Sequence, residues 1–306
     1  VKKRYWSIVV LLLVACSYVA LIAVPAEIVR PQRTALTTTP AEEGLAFEDF
    51  VISPQDSNLE LAGWWIPADN AKATLVFIHG AGSNRGSTYF GSLKFYRAMV
   101  DQGVSMAVID LRNQGESGSD GQGLQFGRTE KHDAEAVIAW ARSKTPHLPL
   151  FAMGISMGGA TLIQAAHDGV SIDGLILLDS LLDTHDTVMR GAAVETGLPP
   201  ALFAVSAWAA TEFYGLPGGE EQALERAAKL DLPILAIQDP DDPVTQARYS
   251  RELAARNPNV TLWMVPAIDP GHPDLAWKGG WGTHVAAFLF YPQETVAQIL
   301  AFMDAQ

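Results

Sequence analysis

Only one cysteine, Cys16, occurs in 306 residues. A lone thiol excludes an intrachain disulfide and any cysteine-based zinc site. Basic side chains are scarce as well: 21 Lys and Arg stand against 34 Asp and Glu, a formal net charge of −13. A protein that neutralises phosphates needs a basic face, so this balance argues against nucleic acid as a partner. Charged residues make up only 18% and hydrophobic ones 48%, too apolar a mixture for a disordered chain. The length is enough for one large domain or two small ones.

One long hydrophobic run breaks the pattern. Lys2, Lys3 and Arg4 precede residues 5–25, which carry no charge, and the next charged residue is Glu27. Twenty such residues span about 30 Å as a helix, the thickness of a bilayer core. Basic residues ahead of the span predict that end in the cytoplasm and the body outside. Residues 1–26 are therefore read as a transmembrane signal anchor. Two other fates start from the same residues: cleavage near Val24-Pro25-Ala26, or lipidation at Cys16 in Leu13-Val14-Ala15-Cys16, which resembles a lipoprotein box. Without the three basic residues at 2–4, the remaining 18 face 34 acidic ones, and the net charge of the body is near −16.

Residues 27–46, with Pro31, Pro40 and Thr37-Thr38-Thr39, carry no clear period and read as a linker. Beyond them, segments 47–53, 59–66, 73–78, 104–109, 150–153, 174–178, 233–237 and 261–265 read as strands. Helices are expected at 92–102 and 130–143, after Gly159 to His167, and at 294–303. Short apolar strands alternating with helices indicate an α/β fold: a mostly parallel sheet covered on both faces. The interval 184–231 is too long for an ordinary crossover. Its apolar, helical content (Leu202, Phe203, Val205, Trp208, Phe213, Tyr214) suggests a small cap over the carboxyl edge of the sheet.

Gly154-x-Ser156-x-Gly158 follows an apolar strand and opens a helix. That context makes it a nucleophile elbow, in which a strained turn exposes the serine oxygen. A second glycine-bearing turn, His79-Gly80-Ala81-Gly82, follows the strand at 73–78. The amides of Ala81 and Met157 are the expected oxyanion hole. A phosphate loop is the rival reading, but the lysine that closes such a motif is missing. His79 is assigned a structural role, holding its loop by hydrogen bonds.

An activated serine needs a base, and the base an orienting carboxylate. Asp239, Asp241 and Asp242 lie in the turn after the strand at 233–237. Three carboxylates on one turn also suit a hard cation, but no glycine-bearing calcium loop accompanies them, so a triad acid is preferred. Beyond the acid, His272 and His284 are the candidate bases, and spacing alone does not separate them.

These features, with Asp110-x-Arg112-x-x-Gly115-x-Ser117, resemble the α/β-hydrolase superfamily over residues 47–303. More narrowly, the chain resembles bacterial membrane-anchored or secreted esterase-like members, related to serine aminopeptidase and dienelactone-hydrolase-like groups. The family stretch usually reads Asp-x-Arg-Gly-x-Gly-x-Ser, and here Asn113 replaces its first glycine. The resemblance implies Ser156 as nucleophile and Asp242 as acid, with Asp239 and Asp241 as alternatives. It implies His284 as base through the register His284-Val285-Ala286-Ala287-Phe288. His272 fits its distance from the last strand better, unless residues 268–280 are an insertion. The implied reaction is hydrolysis of a small-molecule, ester-like substrate through an acyl-enzyme, with no cofactor. A peptidase, aminopeptidase or thioesterase of the same fold is the alternative, and a non-catalytic binding protein of that fold the other. A dehalogenase would need Asp at position 156. Location in a bacterial cell membrane, with the body on the extracytoplasmic side, completes the expectation.

Overall fold

Short, mostly apolar segments of five or six residues suit strands buried on both faces, and eight strands form one sheet in the computed structural model of the chain. The structure describes residues 2–31 and 33–306, with side chains from Tyr5 onward. The side chains of the basic cluster at Lys2, Lys3 and Arg4 lie outside the described residues. The strands are β1 (Glu48–Ile52), β2 (Leu61–Ile66), β3 (Ala73–Ile78), β4 (Val104–Ile109), β5 (Leu150–Ile155), β6 (Gly174–Leu178), β7 (Ile234–Gln238) and β8 (Val260–Met264). Their order is β1-β2-β4-β3-β5-β6-β7-β8. β2 pairs antiparallel with β1 and with β4, and every other pairing is parallel. Every residue of β3 to β7 is buried.

The helices are α1 (Lys2–Tyr18), α2 (Val24–Val29), α3 (Ser92–Asp101), α4 (Lys131–Lys144), α5 (Met157–His167), α6 (Thr184–Thr196), α7 (Ala204–Tyr214), α8 (Ala223–Ala227), α9 (Ala247–Arg256), α10 (Ala287–Phe290) and α11 (Pro292–Asp304). Side chains of α4, α5, α8 and α9 fill the core on one face of the sheet, and those of α3, α10 and α11 the core on the other. Helix α9 was not anticipated from the sequence. It buries Ala247, Ser250 and Leu253 on one stripe and is otherwise strongly polar.

The first part of the N-terminal helix, residues 5–18, is exposed, whereas its last turns pack on α6 and α7. Tyr5–Ile28 is long and apolar enough to cross a membrane, with a mean hydropathy of 2.8. It includes a π-helical turn, Val19–Ala23, just before Pro25. Proline has no N–H to donate, and the helical register loosens where that donor is missing. Residues 33–46, read from sequence within the linker, are held against the body. Thr34 Oγ1 donates to the Gly82 carbonyl (2.6 Å), Asn84 Nδ2 to the Thr34 carbonyl (3.1 Å) and Thr38 Oγ1 to the Gly86 carbonyl (3.1 Å). The stretch 268–280 contains a 3-10 run, Pro273–Trp281, where only loop was expected. Between β6 and β7, α6 and α7 pack on each other, whereas α8 packs on α5 and α9 in the layer beside the sheet.

The Asp110 turn explains its own residue pattern. Asp110 accepts from the amides of Arg85 (2.6 Å) and Glu116 (2.9 Å). A Cβ on Gly115 would sit 2.2 Å from Asp110 Oδ2, so no side chain fits there. Asn113 adopts φ 65°, the left-handed region that asparagine tolerates best after glycine. Its amide donates to Asp120 (2.9 Å) and to the Gly123 carbonyl (3.1 Å). The departure from the family glycine thus keeps the backbone and adds two bonds.

Helix α5 reaches β3 so closely that a Cβ on Gly158 would lie 2.3 Å from the Ile78 carbonyl oxygen. That neighbour is backbone and cannot swing aside. Gly158→Ala should therefore destabilise the protein by about 1–3 kcal/mol through overpacking. Denaturant titration checks this, and an unchanged midpoint would contradict the close approach.

Candidate active site

Strand β5 runs into α5 through Ser156, whose φ of 51° and ψ of −119° lie outside the regions other residues favour. Glycines on either side make this turn feasible. A Cβ on Gly154 would meet backbone of Gly158 at 2.4 Å, and one on Gly80 would meet Ser156 Cβ at 3.2 Å. The serine oxygen is thereby left projecting at the carboxyl edge of the sheet.

Ser156 Oγ lies 3.0 Å from His284 Nε2, and His284 Nδ1 lies 2.7 Å from Asp242 Oδ2. The carboxylate at Nδ1 fixes the tautomer with the proton there, so Nε2 is free to accept from the serine hydroxyl. Asp242 is itself held. Its Oδ1 accepts from the amides of Val244 (2.7 Å) and Thr245 (2.8 Å), and Thr245 Oγ1 lies 2.7 Å from Oδ2. His284 is only 3% exposed.

The other candidates are placed elsewhere. His272 is half-buried, accepts from the Asp274 amide (3.2 Å) and meets the Phe290 ring edge-on. Asp239 accepts from the Asp241 amide (3.0 Å), and Asp241 is exposed. Among the described residues, the aspartates of this turn do not converge as a cation cage. The donor group that does converge is Asp179, Asp242 and His284. Its atoms are already engaged in the bonds described here.

Three residues of this constellation escaped the sequence reading. Asp179 follows β6 and is fully buried. Its Oδ1 accepts from Gln238 Nε2 (3.0 Å) and the Asp239 amide (2.8 Å), and its Oδ2 from the Val285 amide (2.9 Å). Burial, and then the Asp242 carboxylate nearby, push the Asp179 pKa well above its ordinary value. Val285, β-branched, is held at φ 57°, a costly conformation maintained by that bond. Lys278, also buried, donates to the His284 carbonyl (2.6 Å) and lies over the Tyr89 ring (3.9 Å). Thr245 is the third. The available signal was an acidic residue ending an apolar strand at the site's edge. For Lys278 nothing local distinguished it from a surface lysine.

His79 has the structural role assigned to it. Nδ1 donates to the Gly80 carbonyl (2.7 Å), while Nε2 accepts from the Leu111 amide (3.1 Å). Burial lowers its pKa and favours this neutral form. The loop it steadies carries Ala81. Ala81 and Met157 line the same cavity as Ser156 and His284. Met157 is the first residue of α5, where an amide has no intrahelical acceptor.

The cavity measures about 690 Å³, within the usual range of about 300–1,000 Å³ for small-molecule sites. Leu124, Phe126, Val188, Phe203, Trp277 and Trp281 give it an apolar lining. Val24, Glu27, Ile28 and Arg30, at the end of the N-terminal helix, complete its wall.

Burial lowers the Lys278 pKa from 10.5 to about 8. Between those two values the unfolded chain holds a proton that the folded chain does not, so this group makes stability rise with pH. Lys278→Met lacks that gain. The melting temperature of the parent relative to this variant should climb from about pH 7 to about pH 10. A constant difference measured by differential scanning calorimetry would refute the shift.

A sequence model of the family described as serine aminopeptidase, S33, matches residues 69–217. No curated protein matches the chain. Among solved structures, the chain is similar to the esterase Pf2001 of Pyrococcus furiosus, with a TM-score of 0.72 and 23% identity over 90% of this chain and 97% of that one. It is also similar to Est1E of Butyrivibrio proteoclasticus, solved with ferulic acid, with a TM-score of 0.60 and 14% identity over 84% and 100% of the chains. A predicted CIB-like hydrolase of Thermoplasma acidophilum gives a TM-score of 0.54 and 17% identity over 86% and 100%. Sheet order, the turn at Ser156 and these likenesses converge on one architecture: the chain has the α/β-hydrolase fold.

Proposed function

We propose that the protein is a serine hydrolase of carboxylesterase type, cleaving its substrate through an acyl-enzyme. The observation that carries this reading is the hydrogen-bonded series Ser156–His284–Asp242, opening into an apolar cavity. In this mechanism His284 Nε2 removes the serine proton as Oγ attacks the ester carbonyl carbon. The amides of Ala81 and Met157 stabilise the resulting oxyanion, and Asp242 supports the imidazolium. The alkoxide leaves with the proton from Nε2. Water, deprotonated by the same nitrogen, then releases the acid and restores Ser156. No step calls for a cofactor or a metal.

An ester is favoured over an aminoacyl amide by the lining. An aminopeptidase needs an available anion for the substrate ammonium. The carboxylates at the cavity wall are partly engaged: Glu27 pairs with Arg30 (2.7 Å), and Glu195 Oε1 accepts from Trp281 Nε1 (2.6 Å). The proposal extends to organisation. Residues 1–26 anchor the chain in a membrane with the body on the extracytoplasmic side. The segment 184–231 supplies a cap through α6 and α7.

Full-length protein in detergent should hydrolyse p-nitrophenyl butyrate and leave aminoacyl anilides intact. Ser156→Ala or His284→Ala should lower kcat by at least about 10³-fold, and Asp242→Asn by about 10⁴-fold. His272→Ala should leave it unchanged. Absence of turnover across ester, thioester and anilide substrates, together with no fluorophosphonate adduct on Ser156, would overturn the proposal.

A further inference from the structure

The turn preceding α7 and α7 itself present an apolar face without a partner. Leu198, Leu202, Val205, Trp208 and Phe213 are all exposed, Leu202 by 64% and Phe213 by 65%. The opposite side of α7 is sealed against the body through Ser206, Ala207, Ala209 and Ala210. Trp208 and Phe213 meet edge to face at 5.3 Å, so the outer residues form a patch. On α7 the only charge is Glu212. Contiguous apolar surface of this kind marks an interaction site.

The position of the patch along the N-terminal helix decides what covers it. Helix α7 packs along the π-helical turn and α2, at residues 19–29. Tyr214 Oη donates to the Ile22 carbonyl (3.1 Å), which pins the end of α7 to that level. A span beginning at Tyr5 uses up about 30 Å of hydrocarbon in twenty residues, ending near Val24. The patch therefore sits beside the last turns of the span, at the depth where tryptophan and other amphipathic groups settle in a bilayer. The cavity reaches the same side of the molecule. Val24, Glu27 and Ile28 from the helix end and Phe203 from the turn before α7 all line it.

We propose that this patch is seated in the outer boundary of the bilayer crossed by the N-terminal helix, and that the enzyme draws a long-chain ester of a membrane amphiphile from that boundary into the cavity. The substrate half rests on the esterase reading above, while the seat does not. An acyl chain leaving the hydrocarbon would pass along Val24 and Ile28 at the helix end. The body's excess of acidic residues gives it no attraction for anionic lipid, so the seat is apolar in origin and little affected by salt.

The test uses full-length protein in phosphatidylcholine nanodiscs. A nitroxide is attached at Phe213→Cys in a Cys16→Ser background, and its collisions with oxygen and with an aqueous nickel chelate are compared by power saturation. Oxygen should dominate. Separately, Leu202→Asp/Phe213→Asp should lower hydrolysis of a monooleoyl ester dissolved in the disc at least about tenfold, while p-nitrophenyl butyrate turnover stays within about twofold. A nitroxide exposed to the nickel chelate overturns the seat. Oleoyl ester turnover unaffected by the double substitution overturns lateral uptake. If the parent protein cleaves neither ester, the esterase reading and the lipid-ester substrate fail together, and the nitroxide still decides the seat.

Discussion

One carboxyl group ties the site together. Asp179 ends β6, binds the start of the turn after β7 through Oδ1, and holds Val285 through Oδ2. Three segments far apart in sequence are thereby fixed to one another within hydrogen-bonding distance. Through this group the Asp242 turn and the His284 loop, already bonded to each other, are both tied to the end of β6. An ordinary side chain in β-region geometry would satisfy Val285 at less cost, so its left-handed backbone persists because Asp179 binds the amide there. Lys278 grips the same peptide from its carbonyl side, and the histidine ring is aimed between these two anchors.

Nearly all of the sheet was legible because buried parallel strands are written as uninterrupted apolar runs. β3, β4 and β6 fall on the segments expected for them. The serine turn was legible for a related reason: glycine at 154 and 158 records contacts with backbone that no side chain permits. The base was harder. His272 and His284 both lie at plausible spacing, and what distinguishes them is burial and the partner on Nδ1, neither of which a linear pattern encodes. Asp179 was missed because its role comes from long-range contacts, across 106 residues for the Asp179–Val285 bond. Lys278 was missed because its bond to the nearby His284 carbonyl depends on burial that a linear pattern does not encode. Helix α9 was missed because its buried stripe is short and built partly of alanine and serine, which carry little hydrophobic signal.

The segment after the N-terminal helix was misjudged for a similar reason. Proline and threonine without periodicity read as a tether, yet backbone carbonyls and hydroxyls do the holding. By binding Gly82 and Asn84, this strip steadies the loop that carries Ala81. The placement of the Ala81 loop and the attachment to the N-terminal helix are thus built from the same stretch of chain.

The bond from Tyr214 to Ile22 carries one more consequence. A protein on a flexible leash tumbles above its membrane and samples every orientation. Here the last turns of the helix pack on α6 and α7, which ties the direction of the helix to that of the body. On the proposed membrane seat, the height and bearing of Ser156 relative to the bilayer would follow from the fold itself. On that proposal, the search for substrate would become sliding in a plane rather than diffusion in three dimensions.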